Sequence, residues 1–240
     1  MDKTQLNVGR LALLVAIIVA SVAFWNSAVL LPFKLLAVMG HETGHAIASL
    51  IVGGSVTRVS LSPDEAGQCL SMIPEGFFRR TIVSSGGYVG GSIFGVLLLL
   101  LTYRFNARRI ILGIACAWLA LMGLLFARDA FTLGFCLVMA IAFGAGAKWL
   151  PDAAVGGLNL FLATFQALYA VMDLKDDLWN SQVRAQSDAA ILASSTFVPA
   201  VVWAVLWTAV SVAIVGLGGR LALREQVRPR GVATSALQSR

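Results

Sequence analysis

The sequence predicts an all-α polytopic membrane protein of about seven transmembrane helices, with a short membrane-associated strand or hairpin after the second. Three observations carry this. Of 240 residues, 58% are hydrophobic and only 12% charged, about half the charged fraction of a soluble globular domain. Mean hydropathy is +0.84, and apolar stretches close to the roughly 20 residues that cross a bilayer recur along almost the whole chain. In hydrocarbon each backbone N–H and C=O must be satisfied internally, so these stretches read as helices.

The first span covers residues 11–31. It follows Lys3 and Arg10; its apolar run is longer than the core of a cleaved signal peptide and lacks a small-x-small cleavage site, so it reads as a retained helix. The second, 33–52, contains "GHETGHAIAS". Residues 53–79 are the longest polar interval of the first half, and within them "GGSVTRVSLS" has the β-branched content and partial alternation of a strand. The third span, 81–103, opens with "SSGGYVGGSIFG", in which Gly87, Gly91 and Gly95 fall four apart and Gly86 pairs likewise with Gly90. Such ladders let helix backbones approach closely, which predicts an inner helix.

Spans four and five, 108–126 and 130–149, are separated by Arg128 and Asp129, and a sixth covers 155–173. The polar stretch "DLKDDLWNSQVRAQSDAAILASS" then reads as an interfacial helix or cap. The seventh span is 198–218, with Trp203 and Trp207 one turn apart in a packing role. The chain accordingly divides into an extra N-terminal helix (1–32), a core (33–197), and a last helix with a basic tail (198–240).

The net charge is +6, from 18 Lys and Arg against 12 Asp and Glu. Much of the excess follows Gly219: Arg220, Arg224, Arg228, Arg230 and Arg240 against one Glu225. A basic tail beside a membrane fixes topology and touches anionic lipid, so the expected partner is the bilayer and not nucleic acid. Seven spans put 8 Lys and Arg on the N-terminal side and 10 on the other, too even to orient the chain. Both basic termini argue for the cytoplasm, which an odd number of spans cannot satisfy. Cys69, Cys116 and Cys136 form neither a disulfide framework nor a Cys-x-x-Cys zinc motif.

The chemistry concentrates in residues 41–45. His41 and His45 are four apart, so on a helix both imidazoles leave one face and can converge on one ion. Zinc takes imidazole nitrogen, and a catalytic zinc keeps three protein ligands and one open position. Glu42 lies beside His41 in the place of a general base that draws a proton from water without being a ligand. These are the chain's only two histidines, and an ionisable group near mid-span costs on the order of 2.5–3.5 kcal/mol, a cost that marks function.

A third ligand must be a carboxylate or thiolate. Asp2, Asp64, Glu65, Glu75 and Glu225 lie in tails or loops, and Asp129 and Asp152 sit at turns beside Arg128 and Lys148. Asp173 ends the apolar helix "LNLFLATFQALYAVMD", on the side where Tyr169, Asp176 and Asp177 also fall. The second and sixth spans run in the same direction, so groups on each can meet in one plane. Asp173 ranks first, then Asp176 or Asp177, then Cys116, Cys136 or Asp188.

The segment "HETGHAIASLIVGGSVTRVSL", followed by a Gly-rich third span and a late Asp-bearing helix, resembles the site-2 protease family of intramembrane zinc metallopeptidases, in its smaller divergent branch. The resemblance is strongest over residues 40–61 and weaker over 81–103 and 160–190. It implies zinc held by His41, His45 and Asp173, Glu42 as catalytic base, and a substrate that is a transmembrane segment of another protein, cut in or near the bilayer. It also implies that the strand after Gly53 can pair with extended substrate. One departure is plain: the family's third-ligand Asp is followed by Gly and often preceded, some residues earlier, by Asn and Pro, whereas "AVMDLKDDL" has neither Pro nor Gly.

The function expected from these readings is that of a zinc endopeptidase embedded in the plasma or inner membrane. Two rivals make different demands. A catalytically inactive zinc-binding scaffold or chaperone would keep the metal but not need Glu42. A transporter would spread its ionisable groups over several spans instead of two.

Overall fold

The computed structural model describes residues 4–179 and 187–226, with side chains over 6–173 and 187–224. The architecture is helical, with two small antiparallel ribbons. Strand β1 (Thr4–Leu6) leads into helix α1 (Val8–Ala23), whose N-cap Asn7 accepts from the Arg10 amide at 2.8 Å. A 3-10 turn (Ala28–Leu30), capped by Ser27, connects it to α2 (Leu31–Ile51), where Pro32 occupies the first turn, the place in a helix that tolerates its missing N–H.

Helix α2 stops because "VGG" supplies a Schellman turn. Gly53 adopts φ +83°, which only glycine takes without strain; its amide donates to the Leu50 carbonyl, and the Gly54 amide to that of Ser49 at 2.9 Å. The turn feeds the hairpin of β2 (Ser55–Leu61) and β3 (Gly67–Met72), with a bulge between Val56 and Arg58. This is the strand expected at 55–61, with its partner. The hairpin lies along α2. Ser49 Oγ donates to Ser71 Oγ (2.9 Å) at its base, and Lys34 Nζ bridges Glu65 Oε1 (3.0 Å) at its tip. Lys34 also sits 4.8 Å over the Trp25 ring. The Leu61 amide is taken by Thr132 Oγ1 at 2.8 Å, which docks β2 on α5.

Four long helices follow: α3 (Phe77–Tyr103), α4 (Arg108–Phe126), α5 (Ala130–Trp149, capped by Asp129) and α6 (Asp152–Trp179). The glycine ladder of α3 packs as expected. A methyl on Gly86 would come within 2.7 Å of the Gly44 carbonyl oxygen, so α2 and α3 cross backbone against backbone. A short helix α7 (Asp188–Ser194), capped by Ser187, precedes α8 (Ala200–Leu223). The chain then forms β4 (Arg224–Gln226), which pairs antiparallel with β1. The main core gathers around fully buried Met39, Leu112, Leu119 and Phe165.

Five helices among the described residues are long and apolar enough to cross a membrane: α3, α4, α5, the Asp152–Asp173 part of α6, and α8. The count of seven is thus not reproduced. The first expected span, 11–31, breaks at Phe24; α1 has 16 residues, about 24 Å at 1.5 Å per residue, short of the roughly 30 Å hydrocarbon core. Helix α2 has 21 residues, but Lys34, His41, Glu42 and His45 lower its hydropathy. The β1–β4 ribbon also places both ends of the described chain on one side of the bundle.

Candidate metal centre

Helix α2 presents His41 and His45 on one face, as the i, i+4 spacing requires. Their Nε2 atoms are 3.0 Å apart. The third member of the cluster is Asp188, in the first turn of α7: its Oδ2 lies 3.1 Å from His41 Nε2 and 3.0 Å from His45 Nε2. Three donor atoms on two distant segments therefore meet in one small triangle.

Second contacts hold each ring in place. His45 Nδ1–H donates to the Val83 carbonyl of α3 at 2.7 Å, which fixes the tautomer and turns the Nε2 lone pair toward the cluster. The His41 ring meets the face of Tyr88 edge-on at 4.6 Å, and Tyr88 stacks on Trp207 of α8 at 5.3 Å. Trp207 Nε1–H donates to Ser85 Oγ at 2.9 Å, so α8 buttresses the histidine from behind. Gly87 clears the other side, since a methyl there would collide with the His41 ring. On the far face of α2, Thr43 Oγ1 donates to the Met39 carbonyl (2.7 Å) and accepts from Trp118 Nε1 (3.1 Å), fixing α2 against α4.

Glu42 is 6% exposed and interacts electrostatically with His41, His45 and Asp188. It is roofed by β3: a methyl at Gly67 would lie 2.5 Å from Glu42 Oε1. Cys69, two residues along the strand, is pushed up to about 12 by burial and then by the carboxylates of Glu42 and Asp188, so it stays a neutral thiol. For Asp188, burial alone would raise the carboxyl; the imidazoles of His45 and His41 outweigh it and hold the group well below the usual carboxylate range.

Of the third-ligand candidates read from sequence, the structure brings Asp188 and not Asp173 to the two histidines. Asp173, half-buried on α6, interacts electrostatically with His41 and Glu42 but is outside the group of converging donor atoms, in which Asp188 stands instead. The side chains of Asp176 and Asp177 lie outside the described residues. Cys116 faces Gly144 and Cys136 faces Gly123, so both thiols serve the α4–α5 contact and not the cluster. The sequence signal for Asp188 was "SDAAIL": a capping Ser, an acid in the first turn and an apolar run start a helix. The other missed contributors, Val83, Gly87 and Tyr88, act through position alone.

A family model for Peptidase M50B-like proteins matches residues 14–218. The chain belongs to the M50B-like peptidases. No curated protein and no solved structure matches it. As an M50B-like peptidase it is a site-2 protease family member, which agrees with its five membrane-length helices. The M50 peptidases are zinc metallopeptidases, and the donor chemistry here suits that ion: two imidazole nitrogens and one carboxylate oxygen, the three-ligand set of a catalytic site. Tetrahedral bonds of about 2.0–2.1 Å put donor atoms about 3.3–3.4 Å apart. The observed spacings of 3.0–3.1 Å are within a few tenths of an ångström of that.

Proposed function

We propose that this M50B-like peptidase is an intramembrane zinc endopeptidase of a plasma or inner membrane, hydrolysing peptide bonds in or near transmembrane segments of other membrane proteins. One observation carries the reading: His41 Nε2, His45 Nε2 and Asp188 Oδ2 converge to 3.0–3.1 Å, with Glu42 next to them on the same helix. His41, His45 and Asp188 are the residues that would hold the ion, and zinc supplies Lewis acidity toward water and the scissile carbonyl when bound.

The protein's own groups supply the rest. Glu42 takes a proton from the attacking water and passes it to the leaving amine. Burial under β3 keeps its carboxylate from bulk solvent and places it beside Gly67. A substrate helix must open before its carbonyls can be attacked, and an extended segment can be held by pairing with a free strand edge. That edge belongs to β3 and not to the 55–61 strand: the Leu61 amide of β2 is occupied by Thr132, whereas among the described residues no backbone group pairs with the outer edge of β3.

The test is Glu42→Gln in the full-length protein, co-expressed with single-span proteins carrying Gly or Asn in their spans. Cleavage by wild type should disappear while the zinc content is unchanged. Equal processing by wild type and Glu42→Gln would sink the peptidase reading.

A further inference from the structure

The outer face of the α4–α5 hairpin carries a groove that neither the metal cluster nor the β3 edge uses. Its volume is about 400 Å³, and its floor is made of small side chains: Cys116 and Ala120 from α4, and Ala140, Gly144 and Ala145 from α5. The floor is shaped by a close approach of the two helices, since a methyl on Gly144 would come within 3.3 Å of Cys116 Sγ. Leu137 and Ile141, 38% and 71% exposed, form the rim. Both helices are long and apolar enough to cross a bilayer, so this face meets hydrocarbon.

The two ends of the groove differ. At the C-terminal end of α5 its lining changes from apolar residues to Lys148 and Trp149. Leu137 lies about 16 Å deeper along the helix, at 1.5 Å per residue, which is close to half of the roughly 30 Å hydrocarbon core. The groove therefore has the depth of one leaflet, with a polar mouth at the interface and an apolar end near the midplane. A spanning helix of another protein would need twice that length of cleft, whereas a lipid acyl chain occupies one leaflet.

The mouth keeps a positive charge. Arg109, at the start of α4, donates to the carbonyls of Ala147 and Leu150 (2.8 Å each) and pairs with Asp152 at the start of α6 (2.7 Å). That pair satisfies the end of α5 and neutralises the neighbouring carboxylate. Lys148 is exposed and makes no ion pair among the described residues. Its Nζ lies 5.1 Å over the Trp149 ring, and Trp149 is itself 72% exposed, the placement of an amphipathic ring at headgroup level.

We infer that the α4–α5 groove binds one anionic phospholipid, with an acyl chain in the cleft and the phosphate against Lys148. One lysine at the membrane surface favours an anionic over a neutral headgroup on the order of fivefold. The Trp149 ring already holds a cation, so a choline group gains nothing from it. Within the cleft, methylenes touch both helices, and each added contact contributes dispersion that a lipid on a convex helix face lacks. The occupied groove backs α4 at Cys116 and Ala120, on either side of Trp118, whose indole donates to Thr43 between the two histidines at 3.1 Å. The site does not depend on catalysis and stands apart from the peptidase reading.

The experiment titrates the purified full-length protein in detergent with phosphatidylglycerol and phosphatidylcholine of equal chain length, and counts bound lipid by native mass spectrometry. Wild type should retain one phosphatidylglycerol with the stated preference. Lys148→Gln, an exposed change, should bind the two lipids equally while its thermal midpoint without lipid stays that of wild type. Ala145→Leu, which fills the cleft, should lose most retained lipid of either kind; Ala120→Leu fills it from the opposite wall and makes the same test if the first variant does not fold. Equal retention of the two lipids by wild type, or an undiminished preference in Lys148→Gln, would overturn the site. Full retention in a folded cleft-filling variant, or a bound polypeptide mass in place of a lipid mass, would do so as well.

Discussion

Replacing Gly87 by alanine should separate metal binding from folding. The added Cβ would lie 2.6 Å from His41 Cδ2, whereas ordinary contact begins near 3.4 Å. The ring must therefore withdraw by about 0.8 Å at Cδ2 and by more at Cε1 and Nε2, which would lie closer still, several times the roughly 0.2 Å tolerance of a metal–ligand bond. It has little freedom to do so, since Tyr88 closes one side and His45 and Asp188 fix Nε2. Overpacking of this kind costs about 1–3 kcal/mol, and Gly→Ala in a helix returns up to about 1 kcal/mol, leaving a net loss near 0–2 kcal/mol. The expected result is a folded protein whose zinc affinity falls on the order of 10–100-fold, the size seen when groups that orient ligands are disturbed. Zinc per chain, measured by elemental analysis in detergent, and the thermal midpoint of the metal-free protein are the two readouts. Gly113→Ala, at a position with nothing within 4 Å of its Cβ, is the neutral control. Wild-type zinc binding in Gly87→Ala would refute the reasoning about this contact.

Two further outcomes follow. Asp188→Ala should abolish stoichiometric zinc, whereas Asp173→Ala should retain it; the opposite pattern of metal content would return the third-ligand role to α6. Thr132→Val leaves the buried Leu61 amide without its acceptor, a loss of about 1–3 kcal/mol. Faster amide exchange at Leu61 and a lower thermal midpoint should report it, and an unchanged midpoint would count against the coupling of β2 to α5.

What could be read from the sequence follows from how local each signal is. The histidine pair and Glu42 depend only on helical periodicity, and the packing role of the α3 glycines depends only on their spacing, so both were legible. Strand 55–61 announced itself through β-branched residues between glycines. Asp188 ranks last on sequence because it lies outside every apolar helix, where an intramembrane ligand is expected. The carboxylate that lies with the two histidines comes instead from the seven-residue helix α7, which hydropathy does not mark. The count of seven is not reproduced for a related reason: a window average does not see the break at Phe24, and it treats α2 as lipid-like although its polar groups are turned toward protein. The pairing of β1 with β4 is a contact between opposite ends of the chain, and three-residue strands carry no periodicity from which to infer it.

The ion pair at the hairpin tip has a consequence for traffic into the site. Lys34 is 5% exposed, and stranding its ammonium by lifting Glu65 away would cost on the order of 3–5 kcal/mol. The serine pair at the base anchors the other end. Fastened at both extremities, the hairpin behaves as a stationary rail and not a flap. On the proposed peptidase reading, a polypeptide substrate would then enter laterally, its extended stretch alongside Gly67–Met72 next to Glu42.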